Sequence, residues 1–79
     1  MRQFLRDVEA EVARAGLLHA PLNSYHESYA VILEELDEFW EICRQKTRDR
    51  DPKKARAELV QIAAMACRAA KDIGLEENP

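Results

Sequence analysis

The feature that most constrains this chain is Glu34-Glu35-Leu36-Asp37-Glu38, set inside the apolar run Tyr29 to Trp40. At about 100° per residue in a helix, Glu34 and Glu35 stand about 100° apart with Glu38 between them, so three carboxylates share one arc within about one turn. Val31 and Ile42 fall on the same arc. A solvated acidic face has no use for two β-branched apolar residues, so the arc is expected to be partly buried. Clustered negative charge is costly there unless something neutralises it. A divalent cation does so, and hard cations take several oxygen ligands.

Composition narrows the fold. The 79 residues include two Gly and three Pro, aromatics are 6%, and Ala and aliphatic residues are plentiful. That favours helix and argues against a β-sandwich or barrel, so the expectation is an all-α fold in a single domain, 1–79. A domain this small is marginal by itself. The net charge of −3 gives no sign of a nucleic-acid polymer as partner. No apolar run approaches about 18 residues and no signal-peptide pattern opens the chain, which points away from a membrane and to the cytoplasm. Cys43 and Cys67 lack CxxC spacing and read as buried thiols in a reducing compartment.

Three helices are expected. In the first, over 2–15, Leu5, Val8, Val12 and Ala15 recur at helical spacing, and Gly16 is a plausible stop. Leu17 to Asn23 is a connector whose leucines imply packing. Ser24 opens the second helix with Glu27 three residues on, a capping-box pattern, and the helix should run to about Arg48. Its expected core face is Tyr25, Tyr29, Ile32, Leu36, Phe39 and Cys43, with Leu33 and Trp40 on the flank. That placement makes Tyr29 and Trp40 core residues rather than base-stacking ones. His19 and His26 read as surface or packing residues. After the charged turn Thr47 to Asp51, Asp51 can cap a third helix over 52–73 with Pro52 at its first position, and Gly74 ends it. Leu75 to Pro79 is a short tail expected to fray.

The third helix has two apolar faces. Ala55, Leu59, Ile62, Ala66, Ala69, Ala70 and Ile73 form one; Ala57, Val60, Ala64 and Cys67 form the other. Between them runs a polar stripe of Lys54, Glu58, Gln61, Met65, Arg68 and Asp72. Polar residues flanked by apolar ones on both sides belong inside a bundle. Two apolar faces also imply a second subunit. The expectation is a three-helix protomer forming a bundle of four or more helices as a homodimer or homotetramer, with Val60, Ala64 or Cys67 at the interface.

The second helix offers Glu35-x-x-Glu38 and the third Glu58-x-x-Gln61. Residues three apart share a helix face, and two such pairs on facing antiparallel helices can converge on one point. The plainer alternative is an ordinary solvated acidic face on a small, non-enzymatic helical interaction module that docks a basic partner. The two readings part on whether Glu35 and Glu58 meet.

Glu34-Glu35-x-x-Glu38, followed twenty residues later by Glu58-x-x-Gln61, resembles the EExxE…ExxD motif of the MazG-like all-α nucleoside triphosphate pyrophosphohydrolases. The flanks Tyr29 to Trp40 and Glu58 to Ala66 are similar to a compact phage and bacterial branch of that family, and the resemblance spans roughly residues 24–73. It implies hydrolysis of a (deoxy)nucleoside triphosphate between the α- and β-phosphates, to a nucleoside monophosphate and pyrophosphate. It further implies Glu35, Glu38 and Glu58 as ligands of Mg²⁺ or Mn²⁺, Glu34 as the residue that orients or deprotonates water, and Lys54 as a phosphate-binding residue. Arg68 is a second candidate for neutralising charge on pyrophosphate, set against an ion pair with Asp72 or Glu58. Gln61 departs from the family's Asp; its amide oxygen can ligate a hard cation but adds no negative charge. A lean to purine deoxynucleotides such as dGTP rests on the resemblance alone.

Overall fold

A computed structural model of the chain describes residues 1–75. Three helices, α1 (Arg2–Leu18), α2 (Tyr25–Cys43) and α3 (Pro52–Asp72), make it all-α, with a 3₁₀ turn at Thr47–Asp49 and no strand among the described residues. Most of the tail expected to fray lies beyond Leu75, outside those residues. Helix α3 is central: α1 and α2 both pack on it, and among the described residues they do not pack on each other.

The helix boundaries have local causes. Helix α1 passes through Gly16 and ends at Leu18, with His19 extended ahead of Pro21, so the expected stop at Gly16 is corrected. A glycine inside a helix costs about 1 kcal/mol, which the buried Ala15 turn beside it outweighs. Ser24 caps α2, its Oγ accepting the Glu27 N–H at 3.0 Å, while the Glu27 carboxylate accepts from the Asn23 N–H at 3.1 Å. This is a capping box shifted back by one residue. The expected run of α2 to Arg48 is also corrected. The helix ends at Cys43, where apolar residues give out, and Arg50 Nη2 donates to the Cys43 carbonyl. Asp51 caps α3 by accepting the Lys53 N–H at 2.9 Å, with Pro52 in the first turn. At the far end Gly74 has φ +78°, and the Leu75 N–H donates to the Ala70 carbonyl at 2.8 Å; with Gly74 N–H to Lys71, this is a Schellman stop.

The core is Val8 and Ala15 of α1 against Val60, Ala64 and Met65 of α3, with Val31 and Ile32 of α2 packed against it. The α3 face of Val60 and Ala64 is therefore covered by α1 within one chain, which removes these two residues from the expected interface and leaves Cys67 of the three named for it exposed. Cys67, expected to be buried, is exposed, and Cys43 is half-buried. The α2 face is corrected too. Tyr25, Tyr29, Leu36 and Trp40 are exposed, while Ser28, Val31, Ile32, Glu35, Phe39 and Ile42 turn inward. Periodicity and bulk centre the expected core on the largest stripe, and the packing centres it on Glu35. No helix of the described residues is long and apolar enough to cross a membrane.

Candidate metal centre

Glu35 and Glu38 lie one turn apart on the α2 face that packs on α3, and Glu58 lies on the α3 face that meets it. Each offers one carboxylate oxygen, and these three oxygens all lie within 4.8 Å of one another. The convergence follows from the partial burial of the acidic arc: Val31 and Ile42 are half-buried, and they draw Glu35 in with them. Glu35 and Glu58 are half-buried and Glu38 is exposed at the rim.

The cluster is electrostatically unsatisfied. Burial, and after it the charges of Glu38 and Glu58, push the Glu35 carboxyl up to about 7. Glu58 is raised as well, first by burial and then by Glu38. Glu35 Oε2 and Glu58 Oε2 are buried, and no donor among the described residues reaches either. Three carboxylates, two of them with a buried oxygen that no donor reaches, suit Mg²⁺ or Mn²⁺ in chemistry and ligand type, with the remaining positions left to water or phosphate.

Beside the cluster, between α1 and α2 and floored by α3, is a cavity of about 400 Å³. That is within the range of small-molecule sites. Glu34 and Glu35 form part of one wall, Glu11 and Arg14 of α1 the opposite one, and Gln61, Met65 and Arg68 the floor. Glu34 is exposed and reaches this cavity rather than the three-carboxylate cluster. Gln61 stands in the floor with its side chain toward Glu11. The Glu11 carboxyl is held below its usual range chiefly by Arg14, with Gln61 contributing. Lys54 is exposed one turn before Glu58 and is not part of the cavity wall.

Arg68 has a structural post. Although only 6% exposed, it donates to the Ala20 carbonyl at 3.2 Å and lies 3.9 Å from Asp72, whose carboxylate accepts the Leu22 N–H at 2.8 Å. The pair holds the connector Ala20–Leu22 on α3, with Leu22 buried beneath it. One edge of Arg68 still faces the cavity.

Glu11 and Arg14 were not singled out by the sequence. The available signal was that Glu11 sits three residues after Val8 and four before Ala15, which places a carboxylate on the buried seam of α1. It is the same argument that marks the acidic arc of α2.

Comparison with family models, with curated proteins and with solved structures finds no match for this chain.

Proposed function

We propose that this protein is a metal-dependent pyrophosphohydrolase that cleaves a (deoxy)nucleoside triphosphate between its α- and β-phosphates, as its resemblance to the MazG-like family implies. The observation that carries the reading is the meeting of Glu35 and Glu38 with Glu58 across two helices. A helical interaction module gains nothing from bringing these charges together.

In this reading Glu35, Glu38 and Glu58 hold Mg²⁺ or Mn²⁺. When bound, the cation supplies charge neutralisation between an acidic site and a polyanionic substrate, and polarises a phosphoryl oxygen. The cavity receives the nucleoside part of the substrate. Glu34, on the cavity wall next to the cluster, orients the attacking water and takes its proton as water is added across the α–β phosphoanhydride; pyrophosphate leaves. Lys54, exposed at the start of α3, and Arg14, on the cavity wall with its Nε and one Nη paired to Glu11, are placed to neutralise the phosphate charge that develops. Arg68 contributes at most one edge, because its Nη2 is already engaged by the Ala20 carbonyl of the connector and by Asp72. Base preference stays at purine deoxynucleotides such as dGTP, on the resemblance alone. We read the protein as a cytoplasmic homo-oligomer, consistent with its two free thiols.

The protein is tested by incubating it with each nucleoside and deoxynucleoside triphosphate in Mg²⁺ or Mn²⁺, and measuring pyrophosphate and monophosphate together. Equal amounts of the two products, abolished by chelation, are expected. Release of inorganic phosphate instead, or no product from any nucleotide, rejects the reading.

A further inference from the structure

The fold sorts the charge of this chain into two ends. Residues 1–7 and 44–56 hold nine of its 12 Lys and Arg and three of its 15 Asp and Glu, a charge of +6. The remaining residues carry −9, and the two together give the net −3. These basic stretches are far apart in sequence, and the helix packing joins them. Helix α2 ends and α3 begins at one end of the bundle, linked through the turn at Thr47–Asp49. Helix α1 runs parallel to α3. Arg56 in the second turn of α3 lies 2.7 Å from Asp7 and 5.6 Å above the Phe4 ring, and further along Ala15 shares a core with Ala64 and Met65. Arg2 and Arg6, in the first two turns of α1, therefore stand at the end of the bundle that carries Arg44 to Arg56.

This pole has cations to spare. Arg2, Arg6, Lys46, Lys53 and Lys54 are exposed and have no ion-pair partner among the described residues. Arg44 and Arg48 have only exposed pairs, 3.5 Å to Glu41 and 3.9 Å to Asp49, which are worth little in water and yield to a stronger acceptor. The surface also names the kind of partner. Every residue from Arg44 to Lys54 is exposed, and none but Pro52 is apolar, so this stretch offers no pocket for the side-chain anchors of a protein partner. Met1 and Leu5 are exposed on the α1 side, too little apolar surface to hold a bilayer. Six of the nine cations are arginine, whose planar fork matches phosphate oxygens in pairs. The bundle measures 29 and 23 Å in its shorter extents. A nucleic-acid duplex carries one negative charge per about 1.7 Å of axis, so a face this wide meets several phosphates at once. The acidic remainder of the chain repels the same backbone and turns the pole toward it.

We propose that this pole binds the phosphate backbone of a nucleic acid without reading its bases. Net charge alone gives no sign of it, because the acidic remainder cancels the pole in the sum. The pole lies outside the cavity, and the proposal goes beyond the reaction described above and does not depend on it.

The experiment is fluorescence anisotropy of a labelled 20-base-pair DNA duplex of mixed sequence, in EDTA, from about 50 to 200 mM KCl. With about five phosphates neutralised, the dissociation constant at 50 mM should be on the order of 1–100 µM. The logarithm of affinity should fall with the logarithm of salt at a slope of about −4, and a duplex of different sequence should bind equally. Arg6→Glu should weaken binding about 10-fold at 50 mM and flatten the slope by about one, as should Lys46→Glu. Arg6 is the sharper probe, since only the parallel packing of α1 on α3 brings it to the basic run. Helical circular dichroism checks that each variant folds. Should a variant fail to fold, amide chemical shifts of the wild type decide: on adding duplex, residues 2–6 and 44–56 should move while 14–20 and 68–71 stay. No binding at 50 mM, affinity indifferent to salt, full affinity in folded Arg6→Glu, or shifts centred away from the pole overturns the proposal. Tighter binding to vesicles with 30% phosphatidylserine or to poly-glutamate than to the duplex overturns it too, and assigns the pole to a membrane or an acidic protein.

Discussion

Glu35 carries its proton near neutrality because burial and two neighbouring carboxylates all oppose its charge. The linkage has a definite sign. An acid whose pKa rises from 4.5 to about 7 on folding gives a contribution that is complete below about 4.5 and lost as pH rises through about 7. The metal-free protein should therefore melt at lower temperature at pH 8 than at pH 5, and millimolar Mn²⁺ should remove most of the difference. A melting temperature that does not change with pH contradicts the cluster. Glu35→Gln takes one charge from it. We expect turnover to fall at least about 100-fold. The melting temperature of the metal-free protein at pH 8 should rise by about 4–8 °C, what ~1 kcal/mol gives in a domain of this size once solvent screening is allowed for. Gln61 is a finer test. If its amide ligates the cation, Gln61→Leu weakens Mn²⁺ binding and Gln61→Asp strengthens it, since an added charge counts for more at low local dielectric. Its place against Glu11 favours the other outcome, in which it positions the cavity wall and three Mn²⁺ titrations give the same dissociation constant.

The same residue type has opposite meanings in two helices. Gly16 lies inside α1, and an added methyl group there would meet nothing within 4 Å, so Gly16→Ala should stabilise by about 0.5–1 kcal/mol through helix propensity alone. Gly74 sits at φ +78° in the Schellman turn, so Gly74→Ala should cost about 1 kcal/mol although space is equally open. Urea unfolding of the two variants checks both signs. The connector between α1 and α2 hangs on α3 through one pair. Arg68→Met keeps the volume but leaves Asp72 and the Ala20 carbonyl short of a donor, and should cost about 1–3 kcal/mol.

At the scale of the molecule, α3 is the organising element because both of its faces are occupied: α1 takes Val60 and Ala64, and α2 takes the acidic seam. Arg56 adds a surface tie to α1, 2.7 Å from Asp7 and 5.6 Å above the Phe4 ring. Among the described residues the outer face of α2, from Tyr25 to Trp40, is exposed. If folding is completed by a second α2, unfolding is coupled to dissociation, and the melting temperature must rise with protein concentration. The same melting temperature at about 2 and 200 µM contradicts that coupling.

The sequence by itself determined the three helices, their caps at Ser24 and Asp51 and the stop at Gly74. These depend on bonds within a few residues, and the residue types that make them are few. It also determined that Glu34, Glu35 and Glu38 share an arc with Val31 and Ile42, because helical periodicity fixes angles within one element; of the three carboxylates only Glu35 is drawn inward. Only the tertiary structure decided which face of α2 is buried. A helix with apolar residues around more than half its circumference has two candidate faces, and the bulkier one, Tyr25 to Trp40, lost to the face that fits α3. Only the tertiary structure, too, covered Val60 and Ala64 with α1 and brought Glu11 and Arg14 opposite Glu34. The angle between separate helices is set by the packing of side chains distant in sequence, and no local spacing encodes it.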